Sequence, residues 1–307
     1  MLSYFIFIAT VGGIYGLLAL GLNLVWGTAG MANLGLAGFF ALGGYATAVL
    51  TGAGAPVFLG MLFAVGIGIA AGLLVTAATL RLRDDYLAIV TLGFAEVLRL
   101  VALNERWLTR GAEGYSGIPT PFKQELGPFG FNAFYLGFVL LILVIALLLL
   151  RRLDVSPYGR ALKSIREDQE LAAFAGKRVK HFKFVAFSVA AAISALAGAL
   201  YAHFQSYISP DHFQPLLTIY IFLAVSAGGV GRPTGVVIGA FAVIFYLEAT
   251  RFMAGAIPHI SAVQAAAMRE MLVGAALIAV LRWKPAGLFP EQIPKAGFTA
   301  TSQQATR

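Results

Sequence analysis

Glu96 with Arg99, Glu248 with Arg251, and Arg269 with Glu270 form three acid–base pairs near the ends of apolar runs. Carboxylates inside membrane segments are candidate proton carriers, and a relay of them is the chemistry of a proton-coupled secondary transporter. Each acid here has a base within three positions, and residues three apart on a helix share a face, so static ion pairing accounts for them as well. Other reactive patterns are missing. No GxxxxGK[ST] loop is present to cradle ATP phosphates. Gly114-Tyr115-Ser116-Gly117 is one residue short of a GxSxG nucleophile turn. His181, His203, His212 and His259 are scattered with no HExxH spacing, and His203 and His212 flank one loop without a carboxylate partner. Without cysteine there is no disulfide, thiolate metal site or thiol nucleophile. The reading is therefore a non-enzyme with no catalytic residue, no cofactor and no metal.

What remains is recognition by charge, concentrated in residues 151–183. This stretch holds nine of the 22 basic residues, offset by Asp154, Glu167, Asp168 and Glu170. Apolar runs lie on both sides, and a basic segment between two spans reads as a cytoplasmic loop. Ser156-Pro157 is a helix start: a hydroxyl cap, then proline where its missing N–H is harmless. Ala161, Leu162 and Ile165 fall on one helical face, with Arg160, Lys163 and Arg166 to the sides. Asp168 caps a second short helix over 169–175, which Gly176 ends. The apolar face needs a partner. An anionic lipid surface and a cytosolic protein both fit.

These residues must be carried by a membrane protein. Of 307 residues, 59% are apolar and 12% charged, where a soluble domain carries roughly 25%. The apolar runs are continuous rather than alternating, so the fold class is an all-α integral membrane protein and not a barrel. Gly12-xxx-Gly16, Gly68-xxx-Gly72 and Gly235-xxx-Gly239 suit close helix packing in lipid. The net charge of +8 falls mainly in the cytoplasmic loops, which removes the case for nucleic acid. The start, MLSYFIFIATVGG, lacks a basic n-region and reads as a first span rather than a signal peptide.

Nine transmembrane helices are expected, at 3–22, 34–50, 56–80, 86–103, 133–150, 184–203, 216–230, 236–249 and 265–281. Two broken or re-entrant regions interrupt them: 23–33, NLVWGTAGMAN, and 228–235, GGVGRPTG. Irregular backbone at membrane depth is tolerated where protein or a water-filled cavity surrounds it, and broken helices often line transport paths. Asn23, Asn33, Thr91, Gly228, Gly229 and Gly231 are therefore candidate path residues; hydrogen bonding between helices explains the polar ones equally. Residues 104–132 and 204–215 read as connections at the outer side. RLRDD, at 81–85, is a charged turn inside. The N-terminus lies out and the C-terminus in, which places sixteen basic residues inside and six at outer positions. Residues 1–290 form the permease domain and 291–307 a disordered tail, and a Gly-rich break on each side of the basic loop hints at an internal repeat.

Several stretches together resemble one family, the bacterial ABC-importer permeases of the branched-chain amino acid type. They are GLNLVWGTAG with NLGLAGFFALGGY, LRLRDDYLAIVTLGFAEVLRL, LTRGAEGYSGIP, SPYGRALKSIREDQELAAFAG, AISALAGALYAH, GGVGRPTG and WKPAGLFP, in family order over roughly residues 12–290. Leu36 stands where many members have His or Gln, and Arg232-Pro233-Thr234 departs from the commoner form. The resemblance implies an ATP-driven importer in a bacterial inner membrane. Its partners would be a second permease subunit, two cytoplasmic ATPase subunits and a soluble binding protein that delivers the substrate. The implied substrates are branched-chain or related hydrophobic amino acids; related permeases carry urea or short amides. The loop helix would insert in a groove of the ATPase. Gly159, Arg160, Leu162, Ile165, Arg166, Glu167 and Gly176 are the coupling residues this implies, with Arg160, Arg166 and Glu167 as charged contacts and Leu162 and Ile165 as the apolar anchor.

Overall fold

The structure is a computed structural model that describes residues 2–79, 84–256 and 261–291. Its frame is helical throughout, as the long apolar runs require. Helix α1 (Leu2–Leu22) does not stop at the expected break but continues as a π-helical turn, Asn23–Thr28. An irregular stretch over 29–35 then leads into α2 (Leu36–Gly52), α3 (Val57–Thr79) and α4 (Asp84–Asn104). A short α5 (Arg106–Thr109) and strand β1 (Tyr115–Ser116) precede α6 (Lys123–Val155). Helices α7 (Pro157–Glu167) and α8 (Gln169–Phe174) make the basic loop, and α9 (Val179–Gln205) leaves it. Strand β2 (Tyr207–Ile208), a 3-10 turn (Pro210–Phe213), α10 (Pro215–Gly228), α11 (Pro233–Ala256) and α12 (Ala262–Trp283) complete the order.

Each of the nine expected apolar segments is helical, but they are not nine full spans. Among the described residues seven helices are long and apolar enough to cross a membrane. The other two, α2 with 17 residues and α10 with 14, reach only about 25 and 21 Å at about 1.5 Å per residue. A hydrocarbon core is about 30 Å thick. Helix α2 follows the irregular stretch over 29–35 and α10 ends at the interrupted one that starts with Gly228, and Ala37 N donates to Thr218 Oγ1 at 3.4 Å, joining the start of α2 to α10. The charged turn at 81–85 and the tail at 291–307 lie largely outside the described residues. Asp84 and Asp85 open α4, and Glu291 is bonded to α7.

Helices α1, α2 and α9 form the buried centre, and α12 lies at the edge, half-buried on one face and exposed on the other. Small residues set the spacing. A Cβ on Gly43 would lie 1.9 Å from the Ala195 carbonyl oxygen, and one on Gly198 2.0 Å from that of Phe40, so α2 and α9 touch backbone to backbone. A Cβ on Gly68 or Gly72 would fall 2.6 or 2.8 Å from Ala195 Cβ or Ala191 Cβ, which puts that motif on the α3–α9 contact.

The end of the bundle away from the basic loop carries a folded cap rather than loose connections. Strands β1 and β2 pair antiparallel, Tyr115 opposite Ile208 and Ser116 opposite Tyr207. The segment over 104–132 is thus partly structured, and α6 starts at Lys123, bends at Gly127 (φ +65°), and runs on. His203 is fully buried, with Nε2 2.8 Å from Thr47 Oγ1 and Nδ1 2.7 Å from the Pro119 carbonyl. Lys123 Nζ donates to Ser206 Oγ at 3.2 Å, and Tyr207 OH to the Glu113 carbonyl at 3.0 Å.

Candidate functional site

At the basic end, four separate parts of the chain meet around α7. Ser156 caps the helix: its Oγ accepts from Gly159 N at 3.2 Å and donates to the Leu153 carbonyl at 2.6 Å. Gly159 is needed for contact, since a Cβ there would lie 2.3 Å from the Leu153 carbonyl oxygen. Asp168 Oδ1 accepts from Leu171 N at 2.9 Å and starts α8. Gly176, at φ +79°, turns the chain after it.

The apolar face of α7 is turned into this chain. Leu162 is 0% exposed and joins the main core; Ile165 packs with Ala172 and Val179 against Phe182. Tyr158 stacks on Phe182 at 4.9 Å between centroids and donates to its carbonyl at 2.9 Å. Burial pushes this phenol up to about 12. Leu162 and Ile165, expected as an anchor on a partner, are instead buried anchors of the loop on its own helices. Sequence reading did not single out the apolar side chains that are exposed here. Leu171 and Phe174, three apart on α8, are 66% and 88% exposed, and Val155 at the end of α6 is exposed beside the loop. Their i, i+3 spacing was the available signal.

The charged side chains divide in the same way. Arg160 is exposed, its guanidinium donating to the Val155 carbonyl at 2.9 Å, and Glu167 is exposed. Arg166 points inward. One nitrogen donates to the Gly27 carbonyl in the π turn, and the other reaches Glu291 Oε2 at 2.9 Å. Lys163 holds Asp154 at 2.9 Å and Glu291 Oε1 at 3.1 Å. Burial alone would lower the Lys163 ammonium, but hydrogen bonds and attraction from these two carboxylates outweigh it and hold it above the ordinary lysine value.

The two interrupted regions meet each other here. Asn23 Oδ1 accepts from Gly231 N at 2.8 Å, buried. A Cβ on Gly27 would lie 2.7 Å from that same Gly231 nitrogen, and one on Gly30 2.7 Å from Arg166 Cγ. Past Gly228 and Gly229 the end of α10 is covered by the segment after α12. Leu288 N donates to the Ala227 carbonyl at 2.8 Å and Phe289 N to that of Gly228 at 3.1 Å. Asn33 and Thr91 form a second group along the irregular stretch. Asn33 Oδ1 accepts from Gly35 N at 2.8 Å, and Thr91 Oγ1 accepts from Leu34 N and donates to the Ala88 carbonyl, both at 3.0 Å. The side-chain oxygens of all three candidate path residues thus hold backbone in place. A cavity of about 660 Å³ opens between α7 and the start of α11. Arg151, Arg160, Lys163, Arg166 and Arg232 line it against Asp154, Glu167 and Glu291.

The acid–base pairs are largely self-contained. Arg99 grips Glu96 with two nitrogens, at 2.9 and 2.6 Å, one turn back along α4. Glu248 accepts from Tyr4 OH at 2.5 Å and lies 3.7 Å from Arg251. Among the described residues no ion pair joins Arg269 to Glu270, as expected of adjacent positions that point about 100° apart on a helix.

Residues 4–281 match the model of the family described as branched-chain amino acid transport system / permease component. The chain is 32% identical to the high-affinity branched-chain amino acid transport system permease protein LivM of Escherichia coli K12, over 94% of this chain and 70% of that protein. It is 24% identical to LivH, the high-affinity branched-chain amino acid transport system permease protein of Salmonella typhimurium, over 75% of this chain and 79% of that protein. It is 29% identical to the autoinducer 2 import system permease protein LsrC of Photorhabdus laumondii, over 51% of this chain and 45% of that protein. No solved structure matches. The chain belongs to the branched-chain amino acid transport permease family and is a multi-pass membrane protein.

Proposed function

We propose that this permease is the membrane-spanning subunit of an ATP-driven importer for branched-chain or related hydrophobic amino acids. The observation that carries the reading is the construction of the basic loop. Helices α7 and α8 are capped, pinned to the bundle by buried apolar and ionic contacts, and present Leu171 and Phe174 outward. A secondary transporter needs no such projecting, rigid element, and a subunit driven by an external ATPase does. Arg160, Glu167, Leu171 and Phe174 would face the ATPase; Gly159, Leu162, Ile165, Arg166 and Gly176 would hold the loop that presents them.

The proposed assembly pairs this chain with a LivH-like permease, which the similarity to both LivM and LivH supports. Two cytoplasmic ATPase subunits would hydrolyse the ATP, and a soluble protein would bring substrate to the capped end. The basic loop then lies in the cytoplasm, the N-terminus outside and the C-terminus inside, following the distribution of Lys and Arg. In this reading the permease domain covers 1–290, with nine membrane segments of which α2 and α10 pass only part-way. Urea or a short amide is the alternative cargo, because few fixed charges are needed to pass any small polar solute.

The test is uptake of radiolabelled leucine into vesicles that hold the purified complex, with ATP inside, with and without binding protein. Uptake that needs both is expected. Uptake driven by a proton gradient without ATP would overturn the reading and move attention to Glu96, Glu248 and Glu270.

A further inference from the structure

The segment after α12 does more than end the chain. Leu288 and Phe289 donate their backbone N–H groups to the last carbonyls of α10, which have no acceptor role inside their own helix. Gly287, at φ +73°, brings the strap so close that a Cβ there would lie 2.5 Å from Gly229 N. The Arg232 guanidinium sits 5.8 Å from the Phe289 ring centre, within reach of its face. The strap is thus tied to the end of α10 through its backbone. Two residues further on, Glu291 ties it to α7. One carboxylate oxygen takes Lys163 at 3.1 Å and the other Arg166 at 2.9 Å, with the side chain 17% exposed. A half-buried carboxylate between two cations is a stronger tie than a surface pair.

These contacts close a ring. Helix α7 reaches the exit of α1 through Arg166 and the Gly27 carbonyl, and the exit of α1 reaches Gly231 through Asn23. Gly231 lies against the Glu291 carboxylate, 2.7 Å from where its Cβ would be, and Glu291 returns to α7. We infer that Glu291 is a positioning residue for energy coupling: it makes the C-terminal strap a second lever, so that displacement of α7 moves the ends of α1 and α10 together. Without it α7 would still pull on α1, but its pull would reach α10 through α1 alone, by the Asn23–Gly231 bond and the Trp26–Phe222 ring contact. This rests on the importer reading.

The experiment uses the full complex with binding protein in vesicles, and measures leucine taken up per ATP hydrolysed for wild type, Glu291→Gln and Glu291→Asp. Complex yield and thermal stability are followed in parallel. Glu291→Gln is expected to assemble normally and to hydrolyse ATP, with uptake per ATP down on the order of tenfold, within the range of ordinary coupling energies. Glu291→Asp keeps the charge and is expected to restore most of the ratio, although it is the less isosteric change. A wild-type ratio in Glu291→Gln overturns the inference. So does loss of uptake in proportion to lost assembly, or a ranking in which Gln outperforms Asp, since each marks a packing role. Failure of the wild-type complex to couple ATP to uptake at all would strike the importer reading instead.

Discussion

Phe174→Ala separates a docking surface from a packing surface. The ring is 88% exposed and lies on a helix whose caps do not involve it. An aromatic side chain buries about 200 Å² when covered, so about 175 Å² is available here. At about 25 cal/mol per Å² that area is worth about 4 kcal/mol, an upper bound because association spends part of it on lost freedom. Interface residues of this kind contribute about 2 kcal/mol or more when truncated. Affinity of the purified permease pair for the ATPase subunit, measured by titration without nucleotide, should therefore fall roughly 30- to 1000-fold. The melting temperature of the permease alone should not move. Leu162→Ala is the mirror experiment. That side chain is 0% exposed. Its truncation should cost about 2–5 kcal/mol of stability, with the effect on ATPase affinity following only from loss of folded protein. Unchanged affinity in Phe174→Ala, or a fall in its melting temperature in place of its affinity, would refute the reasoning.

Gly43→Val puts a Cβ 1.9 Å from the Ala195 carbonyl oxygen and forces α2 off α9. A cost above about 3 kcal/mol is expected, read as loss of the monodisperse peak in size-exclusion chromatography. Asn23→Leu leaves the Gly231 N–H buried without its acceptor. At about 1–3 kcal/mol, that should lower the melting temperature without altering assembly at the capped end. His212, in the 3-10 turn before α10, is held below the ordinary histidine value by burial, partly opposed by Asp211. Its Nδ1 accepts from Ser209 N at 3.4 Å, which requires the neutral ring. A histidine with a lowered folded value contributes stability above its unfolded value, about 6.5, and that stability is lost as pH falls towards the folded value. Protection of the amides over 207–213, taken relative to the intrinsic exchange rate at each pH, should thus fall between about pH 7.5 and 5, and His212→Gln should remove that fall.

Much of the fold was legible because hydropathy and capping are local. Ser156-Pro157, Asp168 and Gly176 all mark helix ends in the structure, and the nine apolar segments are where their composition puts them. Length was less legible. NLVWGTAGMAN mixes Gly and Asn and reads as a break from its first residue, yet Asn23–Thr28 stays helical as a π turn because Gly231 satisfies the Asn23 side chain from 208 positions away. No local signal carries that partner. The loop's apolar face shows the same limit. The periodicity of Ala161, Leu162 and Ile165 reveals a face that must be covered, and it cannot say whether the cover is another protein or Val179 and Phe182 of the same chain. Arg166 and Glu167 are adjacent and look alike as candidate contacts; only the fold sends one inward to Glu291 and leaves the other in solvent.

The irregular ends at the basic side need polar partners, since orphan carbonyls and amides inside a membrane protein cannot be left to lipid. Water could have served at this surface. Instead the partners come from the segments that would face the ATPase: the Gly27 carbonyl takes Arg166 of α7, and the Ala227 and Gly228 carbonyls take the strap that Glu291 fastens to α7. Tilting α1 or α10 while α7 stays fixed would break charge-assisted or buried hydrogen bonds with nothing to replace them. Tilting them with α7 breaks none. The side-chain and backbone groups that satisfy the broken ends thereby tie the loop to the helix ends, and in the proposed importer these would move together between discrete positions rather than deform. In the proposed importer, the same bonds that let the helices be interrupted at this depth would be the ones through which force on the loop reaches them.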